Sequence, residues 1–151
     1  MNHSILLHKL EHIGIRGVVI EWFNNYLSNR KQVVKYKTSI SNKMTVKRGV
    51  AQGSVLRPLI FLIHVNDITN SSQILSFILS ADDTNLFLSD KDISNLYKTM
   101  NQELKKVNLC LTANKLSLNV NMTQFTIFKS KKKRKLSHGE KVILNDHLVK
   151  K

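Results

Sequence analysis

Proline and cysteine are nearly missing from this chain, at one residue each, and glycine occurs only five times. Cys110 stands alone, so no disulfide partner is expected and nothing argues for an oxidising, secreted setting. So little proline and glycine leaves no room for a long flexible linker. Long apolar runs are missing too. The longest, around Val55 to Val65, is interrupted by Arg57, Pro58 and His64, well short of the roughly 18 residues a membrane helix needs. No basic-then-apolar secretory signal opens the sequence. These shortages predict an intracellular, soluble chain with no membrane partner. Acidic side chains are also scarce, at 10 against 24 lysines and arginines, for a formal net charge of +14.

The chain has 151 residues, 42% hydrophobic and 23% charged, a composition that can bury one core and is not that of a disordered segment. Residues 126–151 carry nine basic and two acidic side chains, and residues 1–125 carry fifteen and eight, so each part has a net charge of +7. The positive charge is therefore not confined to a tail. Such a surface attracts polyanions with salt-dependent affinity, although a basic face can also be simply solvated. Lys129 to Lys135 holds six basic residues in seven. It reads as a solvated loop, a phosphate-contacting loop or a nuclear-import signal.

Periodicity organises the rest. Ile5, Leu6, Leu10 and Ile13 recur at helical spacing before Gly14 and Gly17 break the pattern. A second helical stripe is expected from Val18, Val19, Trp22, Phe23, Tyr26 and Leu27. His8 and His12 stand four apart on the first helix, without a third ligand at a telling spacing. Lys31–Lys37 and Lys43–Gly49 alternate basic and apolar positions, which predicts a hairpin turning at Thr38–Asn42. This ribbon is either an amphipathic hairpin with a wet face or a surface laid against phosphates, with Lys31, Lys35, Lys47 and Arg48 as contacts. Pro58 marks a helix start, with Leu59, Ile60, Leu62, Ile63 and Ile68 as its apolar stripe. Ile74–Leu79 predicts a buried strand, and Leu86–Leu88 a second one beyond a turn. A long helix is expected from about Lys91 to Ala113, capped by Ser89 or Asp90 and ended by Asn114. Strands at Leu116–Val120 and Phe125–Phe128 and a hairpin over Val142–Val149 close the chain.

The turn between the two apolar strands carries Asp82 and Asp83. Adjacent carboxylates at a tight tip can hold hard cations such as Mg²⁺ together with nucleotide phosphates. Two such ions can stabilise the attacking and leaving oxygens of a phosphoryl displacement. Alone, the pair is a weak signal, since most such turns are merely solvated.

Five blocks sharpen it. Asn2-His3-Ser4-Ile5-Leu6-Leu7, Trp22-Phe23 with Tyr26-Leu27-Ser28-Asn29-Arg30, Gly49-Val50-Ala51-Gln52-Gly53-Ser54-Val55-Leu56, Ala81-Asp82-Asp83-Thr84 and Lys115-Leu116-Ser117-Leu118-Asn119 follow one another in order. Together they resemble the reverse transcriptases of non-LTR, LINE or jockey-like retrotransposons, from Asn2 to about Val149. The resemblance implies a polymerase palm, an α+β fold with a small, mainly antiparallel sheet and helices packed on one face. It implies a palm fragment over 1–128, then a basic loop and the start of a palm-to-thumb hairpin over 129–151, with fingers and thumb missing. It further implies RNA-directed DNA polymerase activity, with RNA template, DNA primer and deoxynucleoside triphosphates as partners and Mg²⁺ or Mn²⁺ as cofactor. By carry-over, Asp82 and Asp83 are the catalytic metal ligands, while Gln52, Gly53, Ser54 and Ala81 contact the substrate.

The sequence also departs from that pattern. The family's first catalytic aspartate would fall two positions before Met1. Ser80 stands where a large aromatic is usual, Ala51 for a proline, Arg57 for a glycine and Cys110 for an aromatic. Asn121 and Met122 replace lysines. With the bridging carboxylate outside the 151 residues, the expectation is weak metal binding and an inactive polypeptide. Losing that charge stabilisation costs at least several kcal/mol of barrier, or about 10³-fold. Two other readings stand beside this one: a non-catalytic, basic nucleic-acid-binding remnant of a decayed retrotransposon, and a metal-dependent nuclease using the same acids.

Overall fold

The computed structural model of the chain describes residues 1–50, 53–81, 83–129, 141–144 and 147–150. These fall into two compact units, Met1–Asn66 and Asp67–Lys151. The α+β class expected from the sequence is what is seen: four α-helices and antiparallel strand pairs. The strands are distributed over four two-stranded pieces.

In the first unit, helix α1 (His3–His12) starts at Asn2, whose side chain accepts from the Ile5 N–H at 3.2 Å. That satisfies one of the N–H groups a helix start leaves orphaned. Gly14, at φ +96°, carries the chain out of the helix in a conformation that glycine tolerates best. Helix α2 (Val18–Leu27) follows, and helix α3 (Leu56–Val65) carries Pro58 in its first turn, where a missing N–H is harmless. Leu6, Leu10, Leu27 and Ile60 are almost inaccessible and make the core of this unit. Each contributes about 1.5–3 kcal/mol through burial. The expected apolar stripe of α2 is only partly covered. Leu27 is buried and Ile20, Phe23 and Tyr26 pack against the core, but Val18, Val19 and Trp22 remain 81%, 54% and 50% exposed.

Between α2 and α3 the expected basic ribbon forms in two short pairs. Strand β1 (Lys31–Gln32) pairs with β4 (Met44–Thr45), and β2 (Lys35–Tyr36) with β3 (Ser39–Ile40). Ser41 bridges the gap, its backbone N–H and its hydroxyl oxygen meeting the Val34 carbonyl and N–H, each at 2.9 Å. The reversal is tighter than the sequence suggested. Tyr36 faces Ser39, so the turn lies at Lys37–Thr38, with Lys37 at φ +53°, and not at Thr38–Asn42.

In the second unit a 3-10 helix (Asn66–Ser71, entered from the end of the first unit) takes over where α3 stops, short of the single helix expected through Ile68. Strands β5 (Ser76–Ser80) and β6 (Asp83–Phe87) form an antiparallel hairpin with five residue pairs, from Ser76 opposite Phe87 to Ser80 opposite Asp83. Phe77 and Leu79 turn inward against Val107 and Leu111 of helix α4 (Ile93–Ala113), which gives the hairpin one covered face. The cap of α4 differs from expectation. Asp92 accepts from the Asn95 N–H at 2.9 Å, while Asp90 accepts from the Asp92 N–H, also at 2.9 Å. Asn114 ends the helix as expected. Glu103, unforeseen among the apolar positions, is buried on this helix.

Strands β7 (Ile143–Leu144) and β8 (His147–Leu148) supply the closing hairpin and pack Val142, Leu144 and Val149 against Tyr97 and Leu104. The strands expected at Leu116–Val120 and Phe125–Phe128 do not form a ladder. Val120–Met122 is a short 3-10 turn, and Gln124 makes one isolated parallel bridge to Lys150. Leu116, Leu118, Phe125 and Ile127 are nevertheless packed against the cores, so their alternation reflects one-sided burial without pairing. No helix among the described residues is long and apolar enough to cross a membrane.

Candidate functional site

The apolar β5 strand delivers the chain to a two-residue connection and back, because Ser80 pairs directly with Asp83. Ala81, the first connecting residue, sits at φ +51°. A two-residue hairpin connection favours that left-handed conformation, as Lys37 at φ +53° shows in the β2–β3 turn. Ala81 and Asp83 are both exposed. Asp83 belongs to a paired strand and not to a free loop, so the ladder fixes its backbone. Asp82 lies outside the described residues.

In the first unit, Gln52 also lies outside the described residues, while Gly53 and Ser54 are placed. Gly53 is at φ +79°, and a Cβ there would meet nothing within 4 Å. The backbone conformation, and not crowding, is what calls for glycine. Ser54 ties the loop to two elements. Its Oγ shares a hydrogen bond with the Tyr26 hydroxyl and accepts from the Leu56 N–H at 3.3 Å, at the entrance of α3. Its carbonyl accepts from the Arg57 N–H at 3.1 Å. The upstream end of the same block is held as well. Gly49 N–H donates to the Met1 carbonyl at 3.1 Å, and the His3 ring lies 2.7 Å from the Gly49 carbonyl. Sequence reasoning missed Tyr26 as a support of this loop. Its helical spacing marked it as a core residue, and no pattern in the sequence announces a hydroxyl-to-hydroxyl contact 28 residues away.

The four candidate phosphate contacts, Lys31, Lys35, Lys47 and Arg48, are all exposed on or beside the ribbon. Lys31 faces Thr45 and Lys35 faces Ile40 across it. Gly53 and Ser54 belong to the first unit, Ala81 and Asp83 to the second.

Hard oxygen donors suit Mg²⁺ or Mn²⁺, which commonly take one or two carboxylates and complete their shell with phosphates and water. The exposed Asp83 carboxylate at the hairpin tip fits that chemistry. Among the described residues no three His, Cys, Asp or Glu side chains cluster. Other acids are engaged elsewhere: Asp67 accepts from the Asn114 side-chain amide at 3.2 Å. Glu103 accepts from Lys106 Nζ at 2.6 Å, and that contact, with a second from the Ser72 hydroxyl, holds its carboxyl below the ordinary carboxylate range. His8 and His12 are both exposed.

Set beside known proteins, the chain shows a likeness at the level of family. The sequence model of a family described as reverse transcriptase (RNA-dependent DNA polymerase) matches residues 1–136. No curated protein and no solved structure matches it.

Proposed function

The chain belongs to the reverse transcriptase (RNA-dependent DNA polymerase) family, and from that premise we propose that its Asp82–Asp83 turn is the cation-holding part of a nucleotidyl-transfer site. The observation that supports this most is the β5–β6 hairpin, whose five residue pairs end with Asp83 opposite Ser80. A carboxylate presented from a paired strand is held in place before any ligand arrives, which is what positioning catalysis requires. Asp82 and Asp83 would hold Mg²⁺ or Mn²⁺ through their oxygens. Bound there, the ions would neutralise charge on the attacking and leaving oxygens. Gly53 would let backbone approach a nucleotide, a glutamine such as Gln52 has a side chain able to hydrogen-bond in two directions, and Ser54 ties Gly53 to the start of α3. Lys31, Lys35, Lys47 and Arg48 attract the template and primer phosphates. In this reading 1–128 is palm and 129–151 leads toward a thumb, in a protein of the non-LTR retrotransposon kind.

For residues 1–151 alone we expect binding of template and primer without extension, because the first aspartate of the family pattern is not among them. A second reading, a basic nucleic-acid-binding remnant, is favoured by the net charge of +14 and the exposed basic ribbon. The discriminating experiment measures Mn²⁺ binding by electron paramagnetic resonance, in the presence of a deoxynucleoside triphosphate. Under the polymerase reading Mn²⁺ binds, and Asp82→Ala and Asp83→Ala each weaken it. Equal Mn²⁺ affinity in all three proteins would leave the remnant reading. Primer extension on an RNA template, run alongside, reads activity directly.

A further inference from the structure

Three planar groups are stacked along one face of α2 and just beyond it. The Trp22 indole lies on the Tyr26 ring at 5.4 Å between centroids and 10° between planes. The Arg30 guanidinium lies 5.5 Å from the centroid of that same Tyr26 ring. The three are spaced four residues apart, so one helical turn separates successive rungs. Phe23 meets Trp22 edge-on at 5.2 Å, and Tyr26 is anchored by its hydroxyl to Ser54. The stack is therefore fixed from behind. Its upper end is open: Trp22 is 50% exposed with one face already covered by Tyr26, and Val18, one turn above, is 81% exposed.

A half-open aromatic face can take a flat partner, and the charge around it decides which kind fits. Residues 1–66 carry ten lysines and arginines against two glutamates. Glu21 lies beside Trp22 on α2, Arg30 ends the stack, and Arg16 immediately precedes Gly17, the N-cap of α2. A second copy of the same surface would bring like charges together. A polyanion with flat, apolar bases fits both halves of the description. We propose that Trp22, Tyr26 and Arg30 form a stacking platform for an unpaired base of a single-stranded nucleic acid. The base adds as the next rung on the open face of Trp22, over Val18, while Arg16 meets the adjoining phosphate. Base–aromatic stacking tolerates any sequence, because every base has a π-face. The platform is assigned from the stack and the charge, and it does not require the Asp82–Asp83 turn to be a metal site.

Trp22 is the only tryptophan in the chain, so its emission reports on its own face. The 151-residue protein is titrated at low salt with an oligothymidylate, and separately with inorganic polyphosphate of equal charge. Saturable quenching by the oligonucleotide, with polyphosphate bound but not quenching, is the expected result. No quenching by the oligonucleotide, or equal quenching by both, overturns the proposal. So does an emission change that tracks protein concentration alone, which identifies self-association. Anisotropy of a labelled oligonucleotide supplies the second reading. Trp22→Ala should weaken binding about tenfold with an unchanged salt slope, and Trp22→Phe should recover most of it. Equal affinity in all three proteins overturns the platform. Asp82→Ala and Asp83→Ala should leave the quenching untouched, so failure here and failure of the metal reading are told apart.

Discussion

Removing one hydroxyl tests whether α2 supports the Gly53–Ser54 loop. Tyr26→Phe keeps the ring, its stack on Trp22 and its place under Arg30, and deletes only the bond to Ser54 Oγ. A net hydrogen bond is worth about 0.5–1.5 kcal/mol. Both partners are only half-buried and water can replace either, so the expected loss is about 1 kcal/mol. Ser54→Ala should cost more, about 1–2 kcal/mol, because the Leu56 N–H at the entrance of α3 loses its acceptor too. The double variant should then cost little beyond Ser54→Ala alone, leaving a coupling of about 1 kcal/mol, or roughly fivefold in the folding equilibrium. Urea unfolding followed by Trp22 emission, and again by far-ultraviolet circular dichroism, measures all four corners of the cycle. A coupling inside the roughly 0.3–0.5 kcal/mol scatter of independent sites would refute the reasoning. So would Tyr26→Phe proving costlier than Ser54→Ala, since the serine carries both bonds.

Ile60 is fully inaccessible in the first unit, so Ile60→Ala should destabilise that unit by about 2–5 kcal/mol, measured by thermal melting. A loss below about 1 kcal/mol would mean the α1–α2–α3 core is not packed as seen. The carboxyl of Glu103 is held below its ordinary value of 4.5, first by Lys106 and then by Ser72. Its stabilisation is therefore fully present above that value and lost as pH falls through the lower, folded-state value. Urea midpoints taken from neutral pH down to about pH 3 should fall less steeply for Glu103→Gln than for the parent. Equal slopes would remove Glu103 from the account. Replacing Lys31, Lys35, Lys47 or Arg48 singly by glutamine should flatten the dependence of log affinity on log salt by about 0.7–0.9 for each phosphate the side chain neutralises. An unchanged slope in all four would free the ribbon of any phosphate role.

Much of this fold was legible in the sequence, and the failures share a cause. Helices α1, α2 and α4 and the β5–β6 hairpin followed from apolar period, the Gly14, Gly17 and Asn114 breaks and the polar turn between two apolar runs, all of which are local signals. The reversal at Lys37–Thr38 was misplaced because it uses a lysine at φ +53° where no glycine or asparagine marks the turn. Leu116, Leu118 and Val120 alternate as a strand would, yet alternation records only which face is buried. Whether a partner strand lies alongside is not written in the segment itself. Glu103 was invisible for a related reason. Its partners Lys106 and Ser72 compensate a buried charge, and one of them lies outside its own helix. Trp22 was placed on the apolar stripe of α2 by its spacing, whereas that stripe is covered at Leu27, Phe23 and Tyr26 and left half-exposed at Trp22.

The hairpin that carries the acidic turn was legible because two apolar runs flank a short polar connection. An exposed carboxylate on a free loop is common and carries little meaning. Here Phe77 and Leu79 bury one face of the hairpin against α4, and that burial is what fixes the strand carrying Asp83. The outward-facing members of the hairpin, Ser76, Ile78 and Ser80, contribute nothing to that core. Ser80, directly across from Asp83, is exposed like it. Ala81, at φ +51°, closes the five-pair ladder in the left-handed conformation that a two-residue hairpin turn favours.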